Sequence, residues 1–105
     1  MEFVEIRTST NDIDIAMDIS DGIINKKLSP CVQIKQNCIA VYNWNDNIVK
    51  DKEHIITIKT IDILKEDILD IIKSYHNYDI PEITLSNGIV LSKKYARWFK
   101  KCLKK

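Results

Sequence analysis

With 105 residues the chain has material for one hydrophobic core under a single layer of sheet, and none for a second domain. Its 16 Lys plus Arg balance 15 Asp plus Glu, so no global field draws it to nucleic acid or an anionic membrane, and no window approaches the ~18 apolar residues of a membrane span. Three cysteines without CxxC spacing fit reduced thiols, and a start with neither basic nor apolar leader character adds to the expectation of a cytoplasmic protein.

Phe3-Val4-Glu5-Ile6-Arg7-Thr8 alternates Val4 and Ile6 with Glu5 and Arg7, the period-two pattern of a strand with one buried face. Side-chain oxygens from Ser9 to Asp12 then open a helix carried by Ile15, Ile19 and Ile23, with Ala16 and Met17 beside them, ending near Lys27. Gly22 weakens this helix by ~1 kcal/mol relative to Ala, which leaves open a strand backbone packed closely against it. Pro30 cannot continue the helix, and Cys31-Val32-Gln33-Ile34 starts a second strand. Polar Lys35-Gln36-Asn37 interrupts that strand, so a bulge is expected there.

Residues 38–60 form the stretch around which the chain is organised. Ile39 to Trp44 reads as a strand, Asn45-Asp46-Asn47 as a turn and His54 to Lys59 as the returning strand. The returning arm is half charged up to Glu53 and reads as a buried run from Ile55 to Ile58. A hairpin this long carries Tyr42 and Trp44 past the body of a small domain. Aromatic surface so placed is used against another chain more often than it is left in water, and a second copy is the expected partner.

Asp62 is placed to cap a second helix with apolar positions at Leu64, Ile68, Ile71, Ile72 and Tyr75. Acidic Glu66 and Asp67 near its start and Lys73 and His76 near its end suit the helix dipole. A turn over 77–82 leads to a fourth strand at Ile83-Thr84-Leu85, which Asn87-Gly88 is expected to bend or end. Ser92 caps a last helix over 93–103, burying Tyr95, Trp98, Phe99 and Cys102. The order β-α-β-β-α-β-α describes one α+β domain over 1–105. It is a ferredoxin-like sandwich with an antiparallel sheet, helices on one face, a long β2–β3 hairpin and a C-terminal helix.

Chemistry-bearing motifs are sparse. There is no HExxH, GxSxG, Walker loop or GxGxxG, and two glycines do not make a phosphate cradle, so no catalytic residues are expected. The lysines of the last helix read as its solvated face, which argues against nucleic-acid binding. Cys31 and Cys38, seven apart, face opposite sides of an unbroken strand unless a bulge intervenes.

In order along the chain, Lys27-Leu28-Ser29-Pro30-Cys31-Val32, Tyr42-Asn43-Trp44 with Glu53, Lys59-Thr60, 76–83 and Tyr95-Ala96-Arg97-Trp98 resemble the CutA family of divalent-cation tolerance proteins. The resemblance covers residues 3–103. It implies a homotrimer built like the PII signalling proteins, with ribbons exchanged between neighbours, and a link to copper or another divalent cation. The copper ligands it implies, in strand one and at the end of helix two, fall on Arg7, Tyr75 and His76, of which only His76 is a ligand side chain. Where the family has Trp-x-Gly-Lys this chain has Trp44-Asn45-Asp46-Asn47. The polar residues shared with the family, Glu53, Lys59, Tyr78 and Glu82, are expected at an intersubunit cleft, with Tyr42, Trp44 and Trp98 as interface aromatics. The alternative is a PII-like trimeric sensor of a small molecule.

Overall fold

Alternation in the first strand sets the two faces of the molecule. In the computed structural model, which describes residues 1–104, β1 (Glu2–Thr10) buries Val4, Ile6, Thr8 and Thr10 and turns Phe3, Glu5, Arg7 and Ser9 to the opposite side. It is followed by α1 (Ile13–Asn25), β2 (Cys31–Trp44), β3 (Asn47–Thr60), a single 3-10 turn (Asp62–Leu64), α2 (Lys65–Tyr75), β4 (Ile83–Ile89) and α3 (Lys93–Cys102). The sheet is antiparallel with the order β2-β3-β1-β4. Ile6, Ile56 and Ile58 from the sheet meet Ile19 and Ile23 of α1, Ile68 and Ile72 of α2 and Phe99 of α3 in one core. This is the expected α+β ferredoxin-like sandwich, corrected in one respect: α3 does not lie on the same face as α1 and α2, because its Phe99 and Tyr95 meet Phe3 and Lys59, which point to the other side of the sheet.

The ribbon agrees with its sequence in detail. Asn45 and Asp46 both take positive φ, 50° and 64°, and Trp44 pairs with Asn47, so the turn is a two-residue loop with both central residues left-handed. Asn47 therefore belongs to β3 and not to the turn. The register between β2 and β3 shifts between Lys35 and Cys38, with Asn37 at φ 61°, which is the expected bulge. Its effect is that Cys38 joins Cys31 on the open face, the two lying opposite Glu53 and Lys59 respectively. Six residues of β3, ~20 Å of strand, still separate the two thiols.

Several local expectations are corrected. Ile55 to Ile58 is not a continuous buried run: Ile56 and Ile58 are buried, while Ile55 and Thr57 face the open side and are half-buried. Asp62 does not cap α2, because its carboxylate binds Lys65 Nζ at 2.8 Å and the chain enters through the 3-10 turn. Gly22 faces Tyr75 and Ile71 of α2, not a strand. Tyr75 stays about half exposed there, as does Trp98 in α3, whose buried position is Phe99. Asp12 caps α1 as expected, and Ser92 caps α3 by accepting from Tyr95 N–H.

The fourth strand is not ended by Asn87-Gly88; it runs through to Ile89. Gly88 sits opposite Phe3 in the register, and a Cβ there would collide with the Phe3 ring, which packs on Phe99 with centroids 6.1 Å apart. The glycine is a seat for that ring. Gly88→Ala is expected to displace it and to cost about 1–3 kcal/mol, read as a lower Tm in thermal denaturation; an unchanged Tm would show the ring free to move.

Candidate functional site

A groove of about 660 Å³ opens where the ribbon leaves the body, between its base, the end of β1 and the loop joining α2 to β4. Tyr42 and Trp44 of β2, Glu53 of β3, and Tyr78, Ile80 and Glu82 of the loop region line it. Five expected cleft residues thus come together: Tyr42, Trp44, Glu53, Tyr78 and Glu82. Lys59 and Trp98 do not join them within one chain. Lys59 Nζ lies 5.8 Å from the ring centroid of Tyr95, and Trp98 packs on the same tyrosine at 5.4 Å. Glu53 and Lys59 are six residues apart on β3, ~20 Å along the strand.

The centre of the groove is a pair. Tyr78 Oη donates to Glu53 Oε2 at 2.7 Å and accepts from the Asn11 backbone N–H at 2.9 Å. Burial, then the hydrogen bond to Glu53 and its negative charge, push the Tyr78 phenol well above the ordinary tyrosine range. A phenol whose folded pKa is raised contributes stability that is intact below its unfolded pKa of ~10 and is lost as pH rises beyond it. Stability of the unaltered protein is therefore expected to fall more steeply in the alkaline range than that of Tyr78→Phe, followed by denaturant titration at successive pH values; parallel pH profiles would contradict this. On the ribbon, Tyr42 Oη donates to Asp51 Oδ2 at 2.7 Å, which moves its ionisation to higher pH.

The loop is tied down by groups that sequence reading did not connect. His76 Nε2 lies 2.8 Å from the Ser9 carbonyl, which only accepts, so this nitrogen carries the hydrogen. Nδ1 then accepts from Tyr78 N–H at 3.0 Å. Thr10 Oγ1 donates to Asn77 Oδ1 at 2.7 Å, and Asn77 Nδ2 donates to Asn11 Oδ1 at 2.9 Å. These partners lie 66 and 67 residues apart, beyond any local motif.

The residues do not fit the copper site that the resemblance implies. Both ring nitrogens of His76 are engaged, leaving no lone pair for a metal unless a hydrogen bond breaks. Arg7, always cationic, faces Glu82 at 3.8 Å, and Tyr75 packs over Gly22. Among the described residues no three His, Cys, Asp or Glu side chains converge in a manner that would hold a metal. His54 is nearly buried beside the bulge, where its Nδ1 accepts from Asn37 N–H at 3.4 Å. No helix among the described residues is long and apolar enough to cross a membrane.

Sheet order, projecting hairpin and groove together define a ferredoxin-like α+β protein that carries its candidate site beside the ribbon. Residues 4–102 match the family described as CutA1 divalent ion tolerance protein, and the chain belongs to that family. A probable divalent-cation tolerance protein cutA homolog of Encephalitozoon cuniculi is 30% identical over 88 residues, covering 84% of this chain and 76% of the relative. The chloroplastic protein CutA of Arabidopsis thaliana is 32% identical over 82 residues, 78% of this chain, which spans only 45% of the plant protein. Among solved structures, CutA1 from Oryza sativa superposes with a TM-score of 0.93 at 25% identity, covering 100% of this chain and 96% of that one. CutA1 from the psychrotrophic Shewanella sp. SIB1 gives 0.92 at 29%, covering 98% and 96%.

Proposed function

We propose that the chain acts in divalent-cation tolerance as a homotrimeric binding or assembly protein, without turnover, with copper as the cation that its family resemblance implies. The observation that carries the assembly is the ribbon. It projects in a chain whose principal extents, ribbon included, are 46, 25 and 21 Å, and it exposes Ile39, Val41, Tyr42, Trp44 and Ile48. Among the described residues, the outer edges of β2 and β4 are both without a pairing strand. Long apolar edge strands of this kind are templates for pairing, and a closed ring of copies satisfies them without open-ended growth. Three unpaired cysteines fit a reducing compartment, and the cytoplasm is the location proposed.

In this reading His76 holds the α2–β4 loop, and any divalent cation is bound by side chains that symmetry brings together. Titration of the assembled protein with copper and with zinc is expected to give saturable binding that His76→Ala leaves unchanged. A tenfold or larger loss in that variant would make His76 a ligand, and no binding at all would remove copper from the reading. A second reading, a PII-like trimeric sensor of a small molecule, is favoured by one observation, the groove lined by Glu53 and the rings of Tyr42, Trp44 and Tyr78.

A further inference from the structure

Charge is spread unevenly over this nearly neutral chain. Residues 93–104, α3 and its end, hold six of the 16 Lys and Arg and no Asp or Glu. Lys93, Lys94, Arg97, Lys100 and Lys101 are exposed and, among the described residues, take part in no ion pair; Lys104 is paired with Asp67 at 2.7 Å. Lys93 and Lys94 stand at the positive end of the helix dipole, where acidic side chains are favoured, and the first turn of α3 has none. Arg97 lies four residues from both Lys93 and Lys101, so like charges repel along one face. Local rules broken without a gain inside the chain are expected at functional surfaces.

Phe99 is the residue of α3 buried against the sheet, and the basic face lies on the opposite side of the helix. The ribbon and the edges of β2 and β4, on which assembly is proposed, are other surfaces, and like charges oppose packing this one against its own copies. Across the sheet, α1 exposes Asp14, Asp18 and Asp21 on one face and has no basic residue. The molecule is therefore basic at α3 and acidic at α1. We propose that α3 docks the protein on an anionic membrane surface, its five free cations against lipid phosphates and carboxylates and α1 turned away. Such a surface needs no shaped pocket: clustered Lys and Arg on an amphipathic helix are each attracted to anionic headgroups, within a Debye length. A plane is met from one side, which this polarity allows. Nucleic acid fits less well. The helix is ~15 Å long, so a longer strand runs on beyond the basic face, and Tyr95 and Trp98 pack on each other at 5.4 Å instead of standing free as platforms for bases. The surface belongs to one chain and stands apart from copy number and from cation binding.

The full chain is mixed with vesicles of phosphatidylcholine alone, or with about one-third phosphatidylserine, at ~0.05 and ~0.5 M salt, and co-sedimentation reads the bound fraction. Expected are binding to the anionic vesicles at the lower salt, none to the neutral ones and release at the higher salt. Arg97→Glu with Lys101→Glu is expected to weaken binding at least ~30-fold, while Asp14→Asn with Asp18→Asn leaves it no weaker. Circular dichroism checks folding of the variants, and light scattering without lipid reports copy number separately. Equal binding to neutral vesicles, binding to neither, an unweakened Arg97→Glu and Lys101→Glu protein, or tighter binding per anionic group to duplex DNA overturns the proposal. Should that double variant fail to fold, the lipid and salt comparison on the unaltered chain decides.

Discussion

Phe99→Ala is expected to lower stability by about 3–5 kcal/mol, the cost of emptying a fully buried aromatic position. The ring is the only residue of α3 that is wholly buried, and it contacts both Phe3 and Tyr95, with centroids 6.1 and 6.2 Å away. Losing it leaves a short basic helix with little to hold it on the sheet, and it also unseats the Phe3 ring from Gly88. Denaturant unfolding at fixed protein concentration measures the loss, since the proposed assembly would make apparent stability depend on concentration. A change below ~1 kcal/mol, the size of an ordinary surface substitution, would mean that α3 is not part of the core. Trp98, its neighbour in the chain and 44% exposed, serves as the contrast: its truncation is expected to cost the fold of one copy less.

Trp44→Asp is expected to break the assembly while leaving each subunit folded. Trp44 is 52% exposed near the tip of the ribbon, so a charge there disturbs no core. Buried tryptophans at interface centres contribute about 2–4 kcal/mol each, and an aspartate adds the cost of desolvating its charge. Association is therefore expected to weaken by at least ~30-fold, from 2 kcal/mol at 1.4 kcal/mol per decade. Sedimentation over a concentration series reads this, with circular dichroism unchanged. An unaltered mass in the micromolar range would place Trp44 outside any interface.

Much of the fold was legible because its signals are local. Val4 and Ile6 alternate with Glu5 and Arg7, Asn45 and Asp46 tolerate left-handed backbone, and Ser92 precedes its helix directly. Lys35-Gln36-Asn37 marked the bulge for the same reason, as a polar break in an apolar run. The failures are places where a distant residue decides. Asn87-Gly88 reads as a strand end, but Phe3, far away in sequence, covers the glycine and keeps the strand going. Asp62 is the local exception: it reads as a cap, but Lys65, three residues on, takes its carboxylate.

The candidate site was legible in its residue types and not in its connections. Glu53, Tyr78 and Glu82 do meet, whereas Lys59 and Trp98 lie at the other end of the sheet, a separation fixed by strand length and invisible in a set of matching motifs. Ser9, Asn11 and Asn77 carry no motif at all. They hold the loop through a backbone carbonyl, a backbone N–H and an amide, groups that every sequence offers everywhere.

Light scattering coupled to size-exclusion chromatography, on the unaltered chain at micromolar concentration, weighs the particle directly. Three copies of the 12.2 kDa subunit are expected. A particle of one subunit's mass, with the ribbon bare to water, would contradict the account.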